Sequence, residues 1–437
     1  MRLLYTFLLY MLVPFVLLRL LWRGLELRDY WHRWNERFGF VPRPPQEVAV
    51  WVHAVSVGES LAALPLIRAL IERHGAGRVL VTTMTPTGSA RVRAALGEQV
   101  LHTYVPYDLP DAVARYIGRM RPRQVVVMET ELWPNLFRAL AARRIPLTVA
   151  NARLSPRSFK GYSRLRASIA GVLADCAHIA AQSEADAERF RALGADPARV
   201  GVMGNIKFDM AIPETQVAQG RALRGTGDGR RETGDVWIAA STHEGEEEAA
   251  LAAHAEILKS LPNTRLILVP RHPQRFDAVA RLIEKSGLGY TRRSSLASPV
   301  SRFPSSVLLG DSMGEMFMYF AAADVAFVGG SLVTVGGHNV LEPAALGLPV
   351  LFGPHMHNFV AARELLLDAR AALEVADGAA LAGTVLGLLR DTARARDMGA
   401  AGQRAVAANR GALQRLLDLI DTSAKPDMPS PALAEKS

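Results

Sequence analysis

VAVWVHAVSVGES, residues 48–60, begins as a run of branched and aromatic apolar residues. It stops at His53 and turns, within a few positions, into Ser56, Gly58 and Glu59. The apolar half has the length and composition of a strand buried on both faces, and residues 60–73 carry helical spacing. A buried strand feeding a helix is the building unit of a parallel sheet. The unit recurs downstream. VLVTT (79–83), VVVM (125–128), PLTVA (146–150) and HIAAQ (178–182) read as further buried strands, with helical patterns such as 184–192 among them. The pattern predicts a doubly wound α/β lobe.

The composition shifts at Asp209 to Asp235, where GRALRGTGDGRRETGD (220–235) is polar, charged and rich in Gly, and reads as a linker. Alternation restarts at VWIAAS (236–241) and continues through RLILVP (265–270), SVLLGD (306–311), DVAFVGG (324–330) and LPVLFG (348–353), with one helix expected near 402–421. The expected division is an anchor at 1–22, an N-terminal lobe at 23–210, a linker at 211–235, a C-terminal lobe with its closing helix at 236–422, and a disordered tail at 423–437. Two such lobes should face a cleft lined by the carboxyl ends of their strands.

At 437 residues the chain suits roughly two to four domains. With 49% hydrophobic and 21% charged residues it can bury sizeable cores. The formal net charge of +9, mostly from Arg, favours an anionic partner such as a membrane surface or a phosphorylated substrate. No dense basic run with interleaved aromatics is present, so no nucleic-acid partner is expected. One cysteine, Cys176, excludes an internal disulfide framework and CxxC chemistry, and its apolar surroundings make it a small core residue.

Leu3 to Leu18 carries no charge, and Arg19 follows. That length is near the lower limit for a transmembrane helix, about 20 residues. Without a small-x-small cleavage site, the segment reads as a membrane anchor that either spans the bilayer or lies in its interface. Arg19, Arg23, Arg28, Arg33, Arg37 and Arg43 follow it and only Arg2 precedes it, which places the body on the cytoplasmic face, against anionic lipids. Trp22, Tyr30, Trp31 and Trp34 resemble an interfacial aromatic belt.

The strand ends carry the candidate chemistry. Glu59, at the start of a helix, is placed to face the cleft as a general base, or to serve as a first-turn acid favoured by the helix dipole. TTMTPTGS (82–89) offers hydroxyls for sugar or phosphate, or an N-cap at Thr85 before Pro86. METELWPN (128–135) places Glu129 and Glu131 before a Pro-initiated helix, one suited to capping and one to the cleft. NARLSPRSFKGYSR (151–164) supplies Arg153, Arg157, Lys160 and Arg164 as a basic face. GNIKFD (204–209) places Lys207 where it can neutralise developing charge. In ASTHEGEEE (240–248), Ser241 and Thr242 can cap a helix whose N-terminus suits an anion, and the helix dipole accounts for the three acids. Arg271 of PRHPQRF (270–276) suits phosphate. Gly314 of GDSMGEM (310–316) offers backbone N–H groups. In GGHNVLEP (336–343), Asn339 can contact base or phosphate and Glu342 ribose hydroxyls. His355 and His357 lack a clear third ligand, so no metal site is expected. The sequence has no GxGxxG opening the first lobe, no Walker loop and no GxSxG elbow.

Taken in order, HAVSVGES, VTTMTPTGS, PYDLP, METELWPN, NARLS, GNIKFD, STHEGEEE, VPRHPQRF, GDSMGE, FVGGSL and GGHNVLEP resemble the 3-deoxy-D-manno-octulosonic acid (Kdo) transferases of lipopolysaccharide assembly over nearly the whole chain. Each motif alone is weak; the ordered series is specific. The resemblance implies a GT-B fold with an acceptor-binding N-lobe and a nucleotide-binding C-lobe. It implies inverting transfer of Kdo from CMP-Kdo to the lipid A precursor, lipid IVA, at the cytoplasmic face of the inner membrane, without cofactor or metal. It assigns Glu59 as general base, with Glu129 and Lys207 assisting the transition state. It assigns CMP contacts to Pro270, Arg271, Met313, Gly314, Glu315, Asn339, Val340, Leu341 and Glu342. Ser56, Gly58, Thr85 and Arg153 are the expected acceptor contacts. The alternatives are a GT-B enzyme with a UDP- or ADP-sugar donor, a sugar-nucleotide epimerase of similar fold, and a membrane-tethered binding module without turnover.

Overall fold

The computed structural model describes residues 2–26, 28–224, 234–296 and 305–423. The chain divides into two compact units: residues 1–209 with 410–437, and residues 210–409.

The first unit is built on a seven-stranded parallel sheet. Its strands are β1 (Val50–His53), β2 (Val79–Thr83), β3 (Leu101–Tyr104), β4 (Gln124–Met128), β5 (Leu147–Ala152), β6 (His178–Ala181) and β7 (Val200–Val202), in the order β3-β2-β1-β4-β5-β6-β7. The central strands are buried along their whole length, which is why they read as continuous apolar runs. The chain runs outward from β1 to β3 and then crosses back to β4. The order therefore reverses between β1 and β4, and such a switch point opens a crevice at the strands' carboxyl ends. Glu59 follows β1, and Glu129 follows β4.

The second unit repeats the plan with β8 (Val236–Thr242), β9 (Arg265–Pro270), β10 (Tyr290–Arg292), β11 (Val307–Leu309), β12 (Val325–Val328), β13 (Val350–Phe352) and β14 (Ala372–Glu374), ordered β10-β11-β9-β8-β12-β13-β14. Its switch point lies between β8 and β12.

Three boundaries differ from those expected. The stretch expected as a linker (211–235) contains the helix Glu214–Leu223, which packs on the helix Met316–Ala321 of the second unit. Gly220 permits this approach, because a Cβ there would lie 2.2 Å from the Met318 carbonyl oxygen. Residues 225–233, and residues 424–437 of the expected tail, lie outside the described residues. The helix expected near 402–421 is two helices, Thr392–Ala408 and Ala412–Ser423, parted at Gly411 with φ +91°. The second of them belongs to the first unit, not to the C-terminal lobe. Leu416, Leu417 and Ile420 are buried with Leu66, Ile67, Leu70 and Val81, each contributing about 1.5–3 kcal/mol. Asp209 caps this helix, accepting the N–H groups of Gly411 at 2.5 Å and Leu413 at 2.6 Å.

The apolar N-terminal segment is one helix, α1 (Arg2–Glu26), slightly longer than the expected anchor. Within residues 2–25 the most apolar 18-residue window has a mean hydropathy of 2.0, and only 6% of that window is buried. Tyr5 donates to Asp108 (3.0 Å), Thr6 to the Asn135 side chain (3.1 Å) and Tyr10 to Asp111 (2.6 Å), so α1 lies against the first unit. Cys176 is buried, as expected of a core residue, and burial pushes its thiol up to about 12.

Candidate active site

In the first unit, Ser56 is the N-cap of the helix Val57–His74, and its Oγ accepts the Glu59 N–H at 3.2 Å. Glu59 replies. Its carboxylate accepts the Ser56 hydroxyl at 2.8 Å and the Val55 N–H at 2.9 Å. The two side chains thus cap the helix start together, with the carboxylate taking the N–H of the residue before the N-cap, and this holds the carboxylate at the helix N-terminus in one orientation. Burial raises the Glu59 pKa, its hydrogen bonds with Ser56 and Val55 lower it, and the charge of Glu129 raises it further. Gly58, in the first turn, is exposed.

Glu129 sits directly after β4 with φ +57°, a left-handed backbone rare for a side-chain-bearing residue. Its carboxylate lies 3.6 Å from Lys207 Nζ. Lys207 is placed by a relay of amides. Asn151 Oδ1 accepts the Ile206 N–H (3.2 Å), Gln182 donates to the Asn151 carbonyl (3.0 Å), and Asn205 donates to Gln182 (3.1 Å). Glu131 accepts from Trp133 Nε1 at 3.1 Å. Its pKa is raised by burial and by the charges of Glu59 and Glu129, so the three acids share one electrostatic neighbourhood. Neither Glu129 nor Glu131 caps the following helix, Pro134–Ala141. Asp108 of PYDLP does so, accepting the N–H groups of Asn135 (3.0 Å) and Leu136 (2.7 Å). Sequence reading missed that role, because the cap comes from 27 and 28 positions earlier in the chain.

Thr85 caps the helix Pro86–Leu96 through the Gly88 N–H at 3.1 Å. Arg153 is exposed after β5, and its carbonyl accepts the Thr130 hydroxyl. Arg157, Lys160 and Arg164 are exposed, without an ion pair among the described residues.

In the second unit the expected nucleotide contacts gather beyond β9, β11 and β12. Pro270 ends β9, and Arg271 follows it half-buried, with no ion pair among the described residues. Burial raises the Glu342 pKa, while its hydrogen bond from Asn339 (3.0 Å) and the charge of Arg271 lower it. Asn339 also accepts the Leu341 N–H at 3.1 Å, so its side chain is committed to shaping this turn. Val340 and Leu341 are buried and anchor the segment from below. Met313 is exposed, Gly314 holds φ +82°, and Glu315 pairs with Arg293 at 2.8 Å. His243 and His338 stack with ring centroids 5.1 Å apart and Nε2 atoms 2.8 Å apart. Burial and the neighbouring Arg271 lower His338 to about 3, so it is neutral at physiological pH.

The acids of STHEGEEE have a use beyond the helix dipole. Glu246 is fully buried and accepts four backbone N–H groups: His243 (3.0 Å), Gly330 (2.6 Å), Ser331 (3.0 Å) and Leu332 (2.9 Å). It ties the loop after β8 to the loop after β12, across the switch point. A Cβ at Gly329 would meet the Glu246 carboxylate at 2.7 Å. Glu247, also buried, takes both arms of the Arg275 guanidinium at 3.2 Å. Ser241 and Thr242 do not cap the helix Glu246–Ser260. Gly245 is its N-cap residue, and Glu248 returns to the Gly245 N–H at 3.0 Å, so the chain's own carboxylates occupy the expected anion site. Among the described residues no group of three His, Cys, Asp or Glu side chains is placed to hold a metal ion.

Two parallel-sheet lobes, each with polar residues converging at its switch point, define the GT-B architecture. UDP-GlcNAc 2-epimerase from Neisseria meningitidis shares it (TM-score 0.55, 14% identity, 86% of this chain and 100% of that one). So does a glycosyltransferase from Rickettsia africae (TM-score 0.53, 13% identity, 87% and 100%). Sequence comparison then narrows the class. Residues 32–210 match the family model of 3-deoxy-D-manno-octulosonic-acid transferase. The chain is 41% identical over 424 residues to the 3-deoxy-D-manno-octulosonic acid transferase of Haemophilus influenzae, covering 96% of this chain and 98% of that protein. It is 39% identical over 433 residues to that of Bordetella pertussis, covering 95% and 98%. The chain belongs to the Kdo transferase family.

Proposed function

We propose that this chain transfers Kdo from CMP-Kdo to a phosphorylated lipid A precursor by a single inverting displacement. The observation that carries the proposal is the Glu59 carboxylate, fixed by its hydrogen bonds from Ser56 and Val55 at the switch point beside the Glu129–Lys207 pair. The chain's family makes it a glycosyltransferase that moves Kdo in lipopolysaccharide assembly.

In the proposed step the acceptor hydroxyl oxygen bonds to the anomeric carbon of Kdo as the bond from that carbon to the CMP phosphate oxygen breaks. Glu59 takes the hydroxyl proton. A carboxylate whose pKa is raised by burial is a stronger base than a solvated one. Lys207, held near Glu129, offsets charge as it develops. Arg271 and the backbone N–H groups around Gly314 take the charge of departing CMP, and Asn339 to Glu342 shape the nucleotide site. The proposed step uses no cofactor or metal. Ser56, Gly58, Thr85 and Arg153 bound the acceptor side. We place the enzyme on the cytoplasmic face of the inner membrane, held by α1 and by Arg residues against anionic lipids.

Mass spectrometry of product from purified protein, CMP-Kdo and tetraacylated lipid A precursor tests the proposal and counts the Kdo units added. CMP is expected to inhibit, and UDP is not. CMP-Kdo binding without any mass increase would refute the acceptor assignment, and inhibition by UDP would favour another donor.

A further inference from the structure

A cavity of about 320 Å³ lies between α1 and the first unit. On the α1 side it is lined by Tyr5, Leu9, Leu12, Val13 and Val16, which recur on one helical face. The facing wall carries Phe38, Met84, Tyr107, Leu109, Leu132 and Trp133. Two carboxyl groups also border it, and both are engaged: Asp108 accepts from Asn135, Leu136 and Tyr5, and Glu131 accepts from Trp133. Burial raises both, Asp108 to about 6. From Tyr5 to Val16 the helix runs about 16 Å at ~1.5 Å per residue. That is roughly half of the ~30 Å hydrocarbon core, the depth of one lipid tail.

Two further observations identify an occupant. The opposite face of α1 exposes Leu3, Phe7, Met11, Phe15 and Leu18, so the cavity adjoins a surface suited to lipid. Glu131 lines the cavity and feels the charges of Glu59 and Glu129, so the cavity borders the proposed acceptor site.

We propose that this cavity holds one acyl chain of the acceptor glycolipid. The chain leaves the bilayer beneath α1 while its sugar reaches the three acids. The inference rests on the acceptor reading above and goes beyond it by naming where the lipid is gripped. It also gives α1 a second role, as one wall of a substrate site.

The test uses the full-length protein on phosphatidylcholine vesicles with two photolabels. One is a tetraacylated disaccharide bisphosphate with a diazirine in one acyl chain, and the other is phosphatidylcholine with the same diazirine. Peptide mapping is expected to place the first label on residues 9–16, 107–109 and 131–133, at least tenfold above the second. Val13→Trp, which fills the cavity, is expected to cut that labelling at least tenfold. It should also raise KM for the acylated acceptor at least tenfold, leaving KM for a deacylated disaccharide bisphosphate unchanged. Leu9→Ala, which enlarges the cavity, is expected to keep the labelling, and this separates filling from misfolding. Equal labelling by both lipids, or labelling confined to the outward residues of α1 and unchanged in Val13→Trp, would overturn the inference. Kdo transfer with no cavity labelling refutes this site alone. Cavity labelling without Kdo transfer supports the site and refutes the proposed reaction.

Discussion

Replacing Glu59 by Gln separates the two roles that its carboxylate fills. As the proposed base, it is worth about 10²–10⁴-fold in rate. At the helix start, it accepts from Val55 N–H and Ser56 Oγ–H. Gln has one acceptor oxygen, so one of those bonds is lost, at about 0.5–1 kcal/mol. Removing a charge beside Glu129 and Glu131 works in the opposite direction. The net change should stay within about 1 kcal/mol, roughly 2–4 °C in the melting temperature of a lobe this size. The expected result is single-turnover transfer slowed at least 100-fold, with the CMP-Kdo dissociation constant and the thermal midpoint nearly unchanged. Ser56→Ala is the companion. It keeps the base but removes a hydrogen bond that lowers the Glu59 pKa. Glu59 ionises as pH rises, so the acid limb of the pH–rate profile should move to higher pH. A Glu59→Gln rate within threefold of wild type would remove Glu59 from proton transfer. An acid limb that stayed in place in Ser56→Ala would do the same.

Glu246→Ala leaves four buried N–H groups without their acceptor and should destabilise the second lobe by about 3–5 kcal/mol, read from Trp237 fluorescence on heating; a loss below about 1 kcal/mol would show that the loops hold without it. Leu416→Ala and Ile420→Ala should each cost about 2–5 kcal/mol and speed hydrogen exchange around Leu66–Leu70. Faster exchange in the second lobe instead would contradict the packing of that helix. Burial lowers His53, His102 and His254 to about 4 each. Their folded forms stay neutral while the unfolded chain takes up protons near the ordinary histidine value, so stability is full above about pH 6.5 and falls as pH drops toward 4. His102→Gln should reduce that slope by up to about 1.4 kcal/mol per pH unit, measured as melting temperature against pH; an unchanged slope would mean that His102 protonates in the folded state.

Much of this protein is written locally. The apolar runs at β1, β2, β4, β5, β8 and β9 announce themselves because central strands of a parallel sheet are buried on both faces. The strands missed are short or lie at or near sheet edges, such as β3, β7, β10 and β14, where part of each strand meets solvent and the apolar signal fades. The positions of Glu59 and Thr85 were legible because each lies at the start of a helix just after a buried strand. Cys176 was legible from its apolar neighbours.

What the tertiary structure decided depends on partners distant in the chain. Asp108 caps a helix that begins 26 residues later, and Asp209 caps one that starts after residue 411, which draws the last helix into the first lobe. Glu246 was readable as a first-turn acid; only the fold shows it gripping the loop after β12, because those N–H groups arrive from more than 80 residues away. The same holds for α1. Its sequence specifies an apolar helix, whereas the Tyr5–Asp108, Thr6–Asn135 and Tyr10–Asp111 bonds lay it against the lobe and enclose the cavity. Periodicity records which face of an element is apolar, and only the packed chain determines what that face meets.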